Sequence, residues 1–361
     1  MFRKTITKMA PYVPGEQPPP GQQLIKLNTN ENPYPPSPRI KRAVIAAAGE
    51  ALRLYPPPRA DAFVDSAAHL YGIPREMIIA GNGSDELLSM VFRAALDPGD
   101  RVAYPLPTYS LYDTLASIQA ARVAAKPLGP GFTIPLGALA KERATVTIVC
   151  NPNAPCGTYV PADDLAKLAR QLERRLLVID EAYVDFAEGN SLHLVREHAN
   201  IIVLRSLSKS YSLAGLRLGL GFAQPPIIDE LLKVKDSYNL NRIALAAGAH
   251  ALEDSAWMRR NVERVKRTRA MTEERLRAMG FEVPPSSANF VLARIEGHDM
   301  APVQAALRRR GILVRQFPAS VFRDALRISI GTPEEMAALF KALEPLARRI
   351  VKARQAARMA S

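Results

Sequence analysis

Between residues 77 and 223, short apolar runs alternate with segments of helical periodicity. The apolar runs lie at 77–80, 101–104, 146–150, 176–180, 201–204 and 218–223. Short continuous runs rich in Val, Ile and Leu predict strands that are buried on both faces. The intervening segments, among them 87–95, 162–174 and a stretch that ends at Gln119, predict amphipathic helices. The alternation predicts an α/β fold with a mostly parallel central sheet covered by helices.

The pattern changes after residue 224. A helical stretch at 226–252 precedes an arginine-rich helix at 254–279 that ends at Gly280. Three short strands follow at 289–293, 312–315 and 326–330. Helices are predicted at 299–310 and from residue 332, where Thr332-Pro-Glu-Glu335 is a capping-box pattern. We therefore predict a large domain at 37–250 and a smaller α+β C-terminal domain at 251–361.

The first 36 residues are predicted to form an extended N-terminal arm, because proline is frequent there and disfavours regular structure. Residues 24–27 predict a short strand within this arm. The polar run 28–34 follows, which is typical of a turn but could also line a pocket. After the arm, helices are predicted at 37–54, with Ser37 as the N-cap, and at 60–71.

Composition argues against several classes of protein. No apolar run of the 361-residue chain approaches the ~20 residues of a membrane helix, and the N-terminus lacks the apolar segment of a secretory signal. Two cysteines, Cys150 and Cys156, are too few for a disulfide framework or a metal site. We expect a cytoplasmic protein without a metal or a membrane partner.

The formal charge of +13 permits binding of nucleic acid or of an anionic small ligand. The basic residues are spread over helical patterns with few aromatic residues between them, which is typical of solvated helix faces. No helix-turn-helix pattern precedes residue 40. A nucleic-acid-binding regulator is therefore the weaker hypothesis, and failure to bind DNA at any salt concentration would exclude it.

Polar residues cluster where the predicted strands end, in five loops at 81–86, 107–109, 151–157, 180–183 and 206–217. Open α/β sheets bind ligands at the carboxyl ends of their strands. The loop 81–86 opens a helix with free backbone N–H groups and predicts an anion site, although Ser84 or Asp85 could simply cap the helix. It matches neither the dinucleotide nor the P-loop motif. Lys209 could likewise be an ordinary solvated loop lysine.

Together these loops suit an aromatic heterocycle with a phosphate. Asp180, at a strand end, could keep a ring nitrogen protonated, and Tyr109 could stack on the ring. The amides of 83–85 and Arg217 could hold the phosphate. Lys209 would then form a Schiff base with an aldehyde, which requires a lowered pKa. This is the logic of pyridoxal 5′-phosphate.

Three motifs resemble those of fold-type I aminotransferases: Asn-Pro-Asn-x-Pro-x-Gly at 151–157, Val-Ile-Asp-Glu-Ala-Tyr at 178–183 and Ser-Leu-Ser-Lys-x-x-x-Leu-Ala-Gly-Leu-Arg at 206–217. The segments 27–34 and 326–331 resemble histidinol-phosphate aminotransferases. The resemblance covers nearly the whole chain. It implies the fold-type I architecture, with a mostly parallel central sheet and a smaller α+β C-terminal domain, and pyridoxal 5′-phosphate as cofactor.

The resemblance also implies roles for individual residues. Lys209, Asp180 and Tyr183 would be catalytic: Lys209 would bond to the cofactor and move the substrate proton, Asp180 would pair with the ring nitrogen, and Tyr183 would bind the ring oxygen. Tyr55 would reach the phosphate of a neighbouring subunit, which implies a homodimer. The other implied cofactor-binding residues are Gly83, Ser84, Asp85, Tyr109, Asn153, Ser206, Ser208 and Arg217.

At the substrate end the resemblance implies Tyr12, Asn32, Arg315 and Arg327, with the two arginines suited to a phosphate dianion. The implied reaction is amino-group exchange between L-histidinol phosphate and 2-oxoglutarate, giving imidazole acetol phosphate and L-glutamate. Two alternatives share the fold: an aromatic amino-acid aminotransferase, and a lyase similar to threonine-phosphate decarboxylase. Fold and cofactor alone do not separate these reactions.

One position departs from the family pattern. The family usually has asparagine before the second proline of the 151–157 motif, where its side chain contacts the ring oxygen, and this chain has Ala154. Cys156 likewise replaces a threonine. Because Ala154 cannot donate a hydrogen bond, we hypothesise that Tyr183 makes this contact alone or with Asn153 or water. An Ala154→Asn variant in which the pH titration of the cofactor's absorbance is unmoved would count against this hypothesis.

Overall fold

The computed structural model describes residues 1–11, 14–19, 21–317 and 321–360, and only the backbone of 354–360. The strands β1 to β11 are Ile25–Leu27, Ile78–Asn82, Arg101–Leu106, Arg122–Pro127, Val146–Cys150, Leu176–Asp180, Ile201–Ser206, Leu218–Phe222, Phe290–Arg294, Ile312–Gln316 and Ala325–Ser329. The helices α1 to α13 are Lys4–Lys8, Pro38–Ala47, Asp61–Tyr71, Gly83–Ala95, Leu111–Gln119, Leu136–Lys141, Ala162–Leu172, Leu194–Glu197, Pro225–Val234, Arg242–Glu253, Ser255–Ala278, Ala301–Arg309 and Pro333–Ala360. None of the described helices combines the length and the apolar character needed to cross a bilayer.

The described strands form two sheets. The larger has the order β2-β8-β7-β6-β5-β3-β4, and only β8 runs antiparallel to its neighbours. Along β6, Leu177 and Ile179 belong to one apolar cluster whereas Val178 belongs to another. Because successive side chains of a strand point to opposite faces, both faces of this sheet are covered. The predicted mostly parallel, doubly covered sheet is confirmed.

The smaller sheet has the order β1-β10-β11-β9 and joins the N-terminal arm to the C-terminal region. The arm strand β1 runs parallel to β10, with Leu27 opposite Val314. Strand β11 is antiparallel to both of its neighbours. The arm therefore enters the fold as an edge strand, which places the polar run 28–34 directly beside the larger sheet's loops. The domain boundary at residue 251 stays a prediction.

Several element predictions need correction. The helix predicted at 37–54 ends at Ala47, and Glu50–Arg53 forms a short 3₁₀ turn. Ile45 and Leu52 lie on the apolar face of the predicted helix but are 66% and 53% exposed, so periodicity indicated an apolar face but not what covers it. The stretch 226–252 is two helices, α9 and α10, rather than one. The predicted capping box is present, since the Thr332 N–H donates to Glu335 Oε2 at 2.7 Å.

Candidate active site

One cavity lies at the carboxyl ends of the larger sheet's parallel strands. It is lined by residues from all five loops that the sequence singled out, and also by residues 28–30 of the arm and by β10 and β11 of the smaller sheet. The cavity is therefore enclosed between the two sheets. Nowhere in the described residues do three or more His, Cys, Asp or Glu side chains group in a way that could hold a metal ion.

Lys209 projects into this cavity from the loop that follows β7. Its Nζ donates to the Thr29 carbonyl oxygen at 3.2 Å and lies 5.9 Å from the centre of the Tyr183 ring. Burial and then the charge of Arg327 lower the pKa of Lys209 to about 8. A lysine with this pKa is a neutral amine at mildly alkaline pH, which is the form that acts as a nucleophile or a base.

Asp180 ends β6 and is 2% exposed. The Tyr112 hydroxyl donates to its Oδ2 at 2.7 Å, and the Ala182 N–H donates to its Oδ1 at 3.2 Å. Burial raises the pKa of Asp180 to about 6, although both hydrogen bonds favour the carboxylate and act in the opposite direction. At neutral pH the cavity floor therefore holds a fixed negative charge, which suits a protonated ring nitrogen.

Helix α4 begins at Gly83, and Ser84 and Asp85 of its first turn line the cavity. Gly83 has φ of +78°, and a Cβ there would lie 2.6 Å from Arg217 Nη2. Arg217 donates to Ser208 Oγ at 3.3 Å and pairs with Asp85 Oδ2 at 2.8 Å. A helix start, serine hydroxyl groups and a guanidinium favour a phosphate, which would share Arg217 with Asp85. Ser84, Ser206 and Ser208 line the same part of the cavity.

Two tyrosines form the aromatic part of the cavity. Tyr109 lines it and donates to Asp85 Oδ1 at 3.2 Å. The Tyr183 ring meets Phe290 edge-on at 5.1 Å, and its oxygen accepts from Asn30 Nδ2 at 3.0 Å. Burial raises the pKa of Tyr183 to about 12. Tyr183 therefore stays protonated at neutral pH and can act as a hydrogen-bond donor.

The loop 151–157 places Ala154, but not the Asn153 amide, at the cavity. Asn153 is buried, accepts from Thr108 Oγ1 at 3.1 Å and donates to the Pro107 carbonyl at 3.3 Å and to Cys156 Sγ at 3.1 Å. Its hydrogen-bonding groups are used within the loop and its neighbours. This geometry favours the part of our hypothesis in which Tyr183 acts without Asn153.

Arg315 and Arg327 face the cavity from the smaller sheet. They are directly opposite each other in the antiparallel pair β10–β11, so their side chains share a face. Phe317 lies beside both, 6.0 Å from the Arg315 guanidinium and 5.9 Å from that of Arg327. Two adjacent guanidinium groups with an aromatic neighbour can bind an anion and an apolar or aromatic group together.

Asn32 and Tyr55 are predicted site residues that do not line the cavity. Tyr12 falls outside the described residues. The Asn32 amide donates to the backbone carbonyls of Lys209 and Ser210 at 3.0 and 3.1 Å. It therefore stabilises the backbone of the loop that carries Lys209. Tyr55 is 77% exposed and stacks on Tyr238 with ring centres 4.4 Å apart, away from this chain's own cavity.

The sequence interpretation missed two residues that contact the cavity's functional groups. Tyr112 holds Asp180, and its only sequence signal was that it follows Tyr109 by three residues; the two rings meet edge-on at 5.7 Å, although Tyr109 precedes helix α5. Asn30 holds Tyr183, and its only signal was the dense polar run in which it lies. The ion pair between Glu181 and Arg205, at 2.9 Å and fully buried, also supports the end of β6.

Comparison with known proteins adds an independent line of evidence. Residues 22–343 match the family model described as aminotransferase class I and II. The chain is 46% identical to histidinol-phosphate aminotransferase 1 of Trichormus variabilis, over 96% of this chain and 99% of that protein. It is also 46% identical to histidinol-phosphate aminotransferase 1 of Nostoc sp., over 96% and 98%.

A solved structure is similar along nearly the whole chain. The crystal structure of histidinol-phosphate aminotransferase from Sinorhizobium meliloti, in complex with pyridoxal-5′-phosphate, superposes with a TM-score of 0.88. It is 25% identical in sequence, and the match covers 97% of this chain and 98% of that chain.

Proposed function

The chain belongs to the aminotransferase class I and II family, and from this premise we propose that it transfers the amino group between L-histidinol phosphate and 2-oxoglutarate, giving imidazole acetol phosphate and L-glutamate, with pyridoxal 5′-phosphate as cofactor. The observation that carries the proposal is the convergence in one cavity of the Lys209 amine, the Asp180 carboxylate and the α4 anion site, with Arg315 and Arg327 at its other end.

The cavity fits this cofactor in three respects. Lys209 supplies a half-buried amine whose pKa is lowered to about 8, as a bond to an aldehyde requires. Asp180 supplies a buried carboxylate for a ring nitrogen. Gly83 leaves space beside Arg217 that a Cβ would fill, next to the helix start that would hold a phosphate.

When bound, pyridoxal phosphate supplies the aldehyde that accepts the amino group and an electron-withdrawing ring. The chain's own residues supply the rest. Asp180 keeps the proton on the ring nitrogen by charge pairing. The Lys209 amine takes the proton from the substrate Cα and returns it, a role that needs a base with a pKa near working pH. Arg315 and Arg327 orient the substrate from its anionic end.

The substrate assignment is supported by the paired guanidinium groups, since two of them suit a phosphate dianion better than a monoanion. Phe317 gives a specific reason to consider an aromatic amino-acid aminotransferase as a second candidate. Its ring lines the cavity about 6 Å from both guanidinium groups, where it could contact a substrate ring. In that case Arg327 would bind a carboxylate instead.

A half-reaction experiment separates these candidates. Purified holoenzyme is titrated with L-histidinol phosphate and then with L-phenylalanine, with no keto acid present, while the visible spectrum is recorded. Conversion of the aldehyde band at far lower L-histidinol phosphate supports the proposal. Conversion at lower L-phenylalanine would favour the aromatic enzyme. In a separate incubation with L-threonine phosphate, release of CO₂ would identify a lyase. Absence of a cofactor band after reconstitution would overturn the reading of Lys209 and Asp180.

Replacing Arg315 by alanine is expected to raise KM for L-histidinol phosphate roughly 10–100-fold, because a hydrogen bond to a charged group contributes about 1.5–3 kcal/mol. The value for L-phenylalanine should change much less. Steady-state kinetics with both substrates measure this. Arg323→Ala is the matched control, since Arg323 is 64% exposed and pairs with Asp299. Equal losses for both substrates would argue against a phosphate role.

Replacing Gly83 by alanine is expected to weaken pyridoxal 5′-phosphate binding about tenfold or more, because a Cβ would crowd Arg217 and φ is +78°. Binding of pyridoxal, which has no phosphate, should be much less affected. Equilibrium titrations of the apoenzyme measure both. Gly137→Ala is the control, since a Cβ there meets nothing within 4 Å. Equal weakening for both ligands would place the phosphate elsewhere.

The proposal includes a homodimer in the cytoplasm. An exposed apolar face contains Leu52, Leu54 and Tyr55, which is the residue that the family resemblance directs toward a neighbouring subunit. Both cysteines are free and buried, which suits a reducing compartment. Light scattering should give twice the 39.5 kDa mass of one chain, and a monomeric active enzyme would contradict the dimer.

A further inference from the structure

We propose that Asn30 is a positioning residue that keeps the hydroxyl proton of Tyr183 directed at the ring oxygen of the bound cofactor, the contact that Ala154 cannot make. This inference rests on the proposed function and extends it to a residue of the N-terminal arm. Asn30 lies in the segment that joins β1 to α2, is 1% exposed and lines the cavity.

The orientation of the Asn30 side chain is fixed by Ser329 at the end of β11. The Asn30 backbone N–H donates to Ser329 Oγ at 2.8 Å, so this oxygen acts as an acceptor there. The Ser329 hydroxyl in turn donates to Asn30 Oδ1 at 3.0 Å. A hydroxyl has a single proton, so these two bonds define its direction. Oδ1 therefore faces Ser329, and Nδ2 faces the other way.

Nδ2 donates to the Tyr183 oxygen at 3.0 Å. An amide N–H can only donate, so the Tyr183 oxygen acts as the acceptor in this bond and its own proton is not used. Burial raises the pKa of Tyr183 to about 12, which keeps that proton in place at neutral pH. The remaining donor of Tyr183 is thus available to an acceptor in the cavity.

The neighbours of Tyr183 indicate that its hydroxyl is the donor that takes the place of the asparagine that the family usually has at position 154. Ala154, Ala288 and Phe290 pack with the Tyr183 ring in one apolar cluster, so its ring is held by contacts that supply no side-chain polar group. The Asn153 amide is used on the Pro107 carbonyl and on Cys156 Sγ. Asn30 itself adopts φ of +56°, a left-handed conformation that asparagine tolerates better than most residues.

These hydrogen bonds link the N-terminal arm to the ring oxygen of the bound cofactor. The Asn289 amide also donates to the Asn30 carbonyl oxygen, at 2.9 Å, so three bonds from the smaller sheet hold this one residue. A donor at the ring oxygen stabilises that oxygen's anionic form and lowers the pH at which the bound cofactor loses its proton. The arm residue therefore sets this pH midpoint through Tyr183.

The test is Asn30→Asp, which preserves size and turn but replaces the Nδ2 donor with an acceptor. The Tyr183 hydroxyl should then donate to the new carboxylate and leave the ring oxygen. The pH midpoint of the bound cofactor's visible absorbance is expected to rise by about one unit or more, since a hydrogen bond and a nearby charge both act on it. Adding Ala154→Asn should lower the midpoint again.

The new charge alone would also raise the midpoint, so Asn30→Asp is repeated with Tyr183→Phe. In the Tyr183→Phe background, Asn30→Asp should raise the pH midpoint clearly less than it does in the unmodified enzyme, because only the charge effect remains. Asn261→Ala is the control for loosening of the arm, since Asn261 donates to the Pro35 carbonyl at 3.2 Å outside the cavity. It should leave the midpoint unchanged. Thermal melts verify that each variant is folded.

Two results would overturn the inference while leaving the proposed function intact: an Asn30→Asp midpoint equal to that of the unmodified enzyme, or equal increments with and without the Tyr183 hydroxyl. A cofactor band that never forms in the unmodified protein would instead overturn the proposed function and the inference with it. The two failures are therefore distinguishable in one set of titrations.

Discussion

Replacement of Lys209 by alanine is expected to lower kcat for amino-group transfer by about 10⁴-fold or more, at the upper end of what a positioned acid–base group contributes. The structure shows how this amine is placed and kept reactive. Lys209 Nζ is fixed by the Thr29 carbonyl at 3.2 Å, and burial lowers its pKa to about 8. Both the covalent attachment of the cofactor and the movement of the substrate proton depend on this one amine.

Two measurements check the prediction. Steady-state rates give the loss of kcat, and borohydride reduction followed by peptide mass analysis should fix the cofactor on Lys209 in the unmodified enzyme but not in the variant. Lys235→Ala is the matched control: burial also lowers the pKa of Lys235, but its Nζ donates to the Asp236 carbonyl outside the cavity. A variant at Lys209 that retained more than a few per cent of activity would contradict the assignment.

Replacement of Asp180 by asparagine is expected to lower kcat about 10³-fold, the upper range for loss of one preorganised electrostatic partner. The change keeps the shape of the side chain but removes the charge that holds a proton on the ring nitrogen. Tyr112→Phe provides a graded comparison. It removes the 2.7 Å hydrogen bond but keeps the carboxylate, so the loss should be far smaller.

Asp180 also predicts a pH dependence of cofactor affinity. Its pKa is raised to about 6, so the carboxyl group becomes protonated as the pH falls through 6 and loses its attraction for a protonated ring. Affinity of the apoenzyme for pyridoxal 5′-phosphate should therefore decrease below pH 6. In the Asp180→Asn variant this decrease in affinity below pH 6 should be absent, and only the pH dependence due to the cofactor's own ionisable groups should remain. Identical pH profiles for both proteins would exclude Asp180 as the pairing group.

The sequence was sufficient where the signal is local. The strands Val146–Cys150 and Leu176–Asp180 have the bounds that the apolar runs predicted, because a buried parallel strand needs a continuous apolar segment. Asp180 and Lys209 follow from the same reasoning, since both come at or just after the carboxyl end of such a strand, the edge where open α/β sheets bind ligands. The motifs around them then indicated the cofactor.

Hydrophobic periodicity was less informative about strands at the sheet edge and about which surfaces cover an apolar helix face. Strand Arg122–Pro127 was missed because it contains charged and small residues at the sheet's edge, where burial imposes little pattern. Ile45 belongs to the apolar face of the helix predicted at 37–54 but is 66% exposed. A local pattern records which residues are apolar, but it does not record which surface, if any, covers them.

Only the tertiary structure decided how distant segments meet in the cavity. Asn30 and Ser329 are 299 residues apart, yet the bonds between them fix the amide that contacts Tyr183. Arg315 and Arg327 share a face because the register of two antiparallel strands places them opposite each other. The sequence thus determined the sheet, the lysine and the carboxylate, each through local burial or a local motif. The donors around Tyr183 and the paired arginines depend on long-range strand pairing, which leaves no local signal.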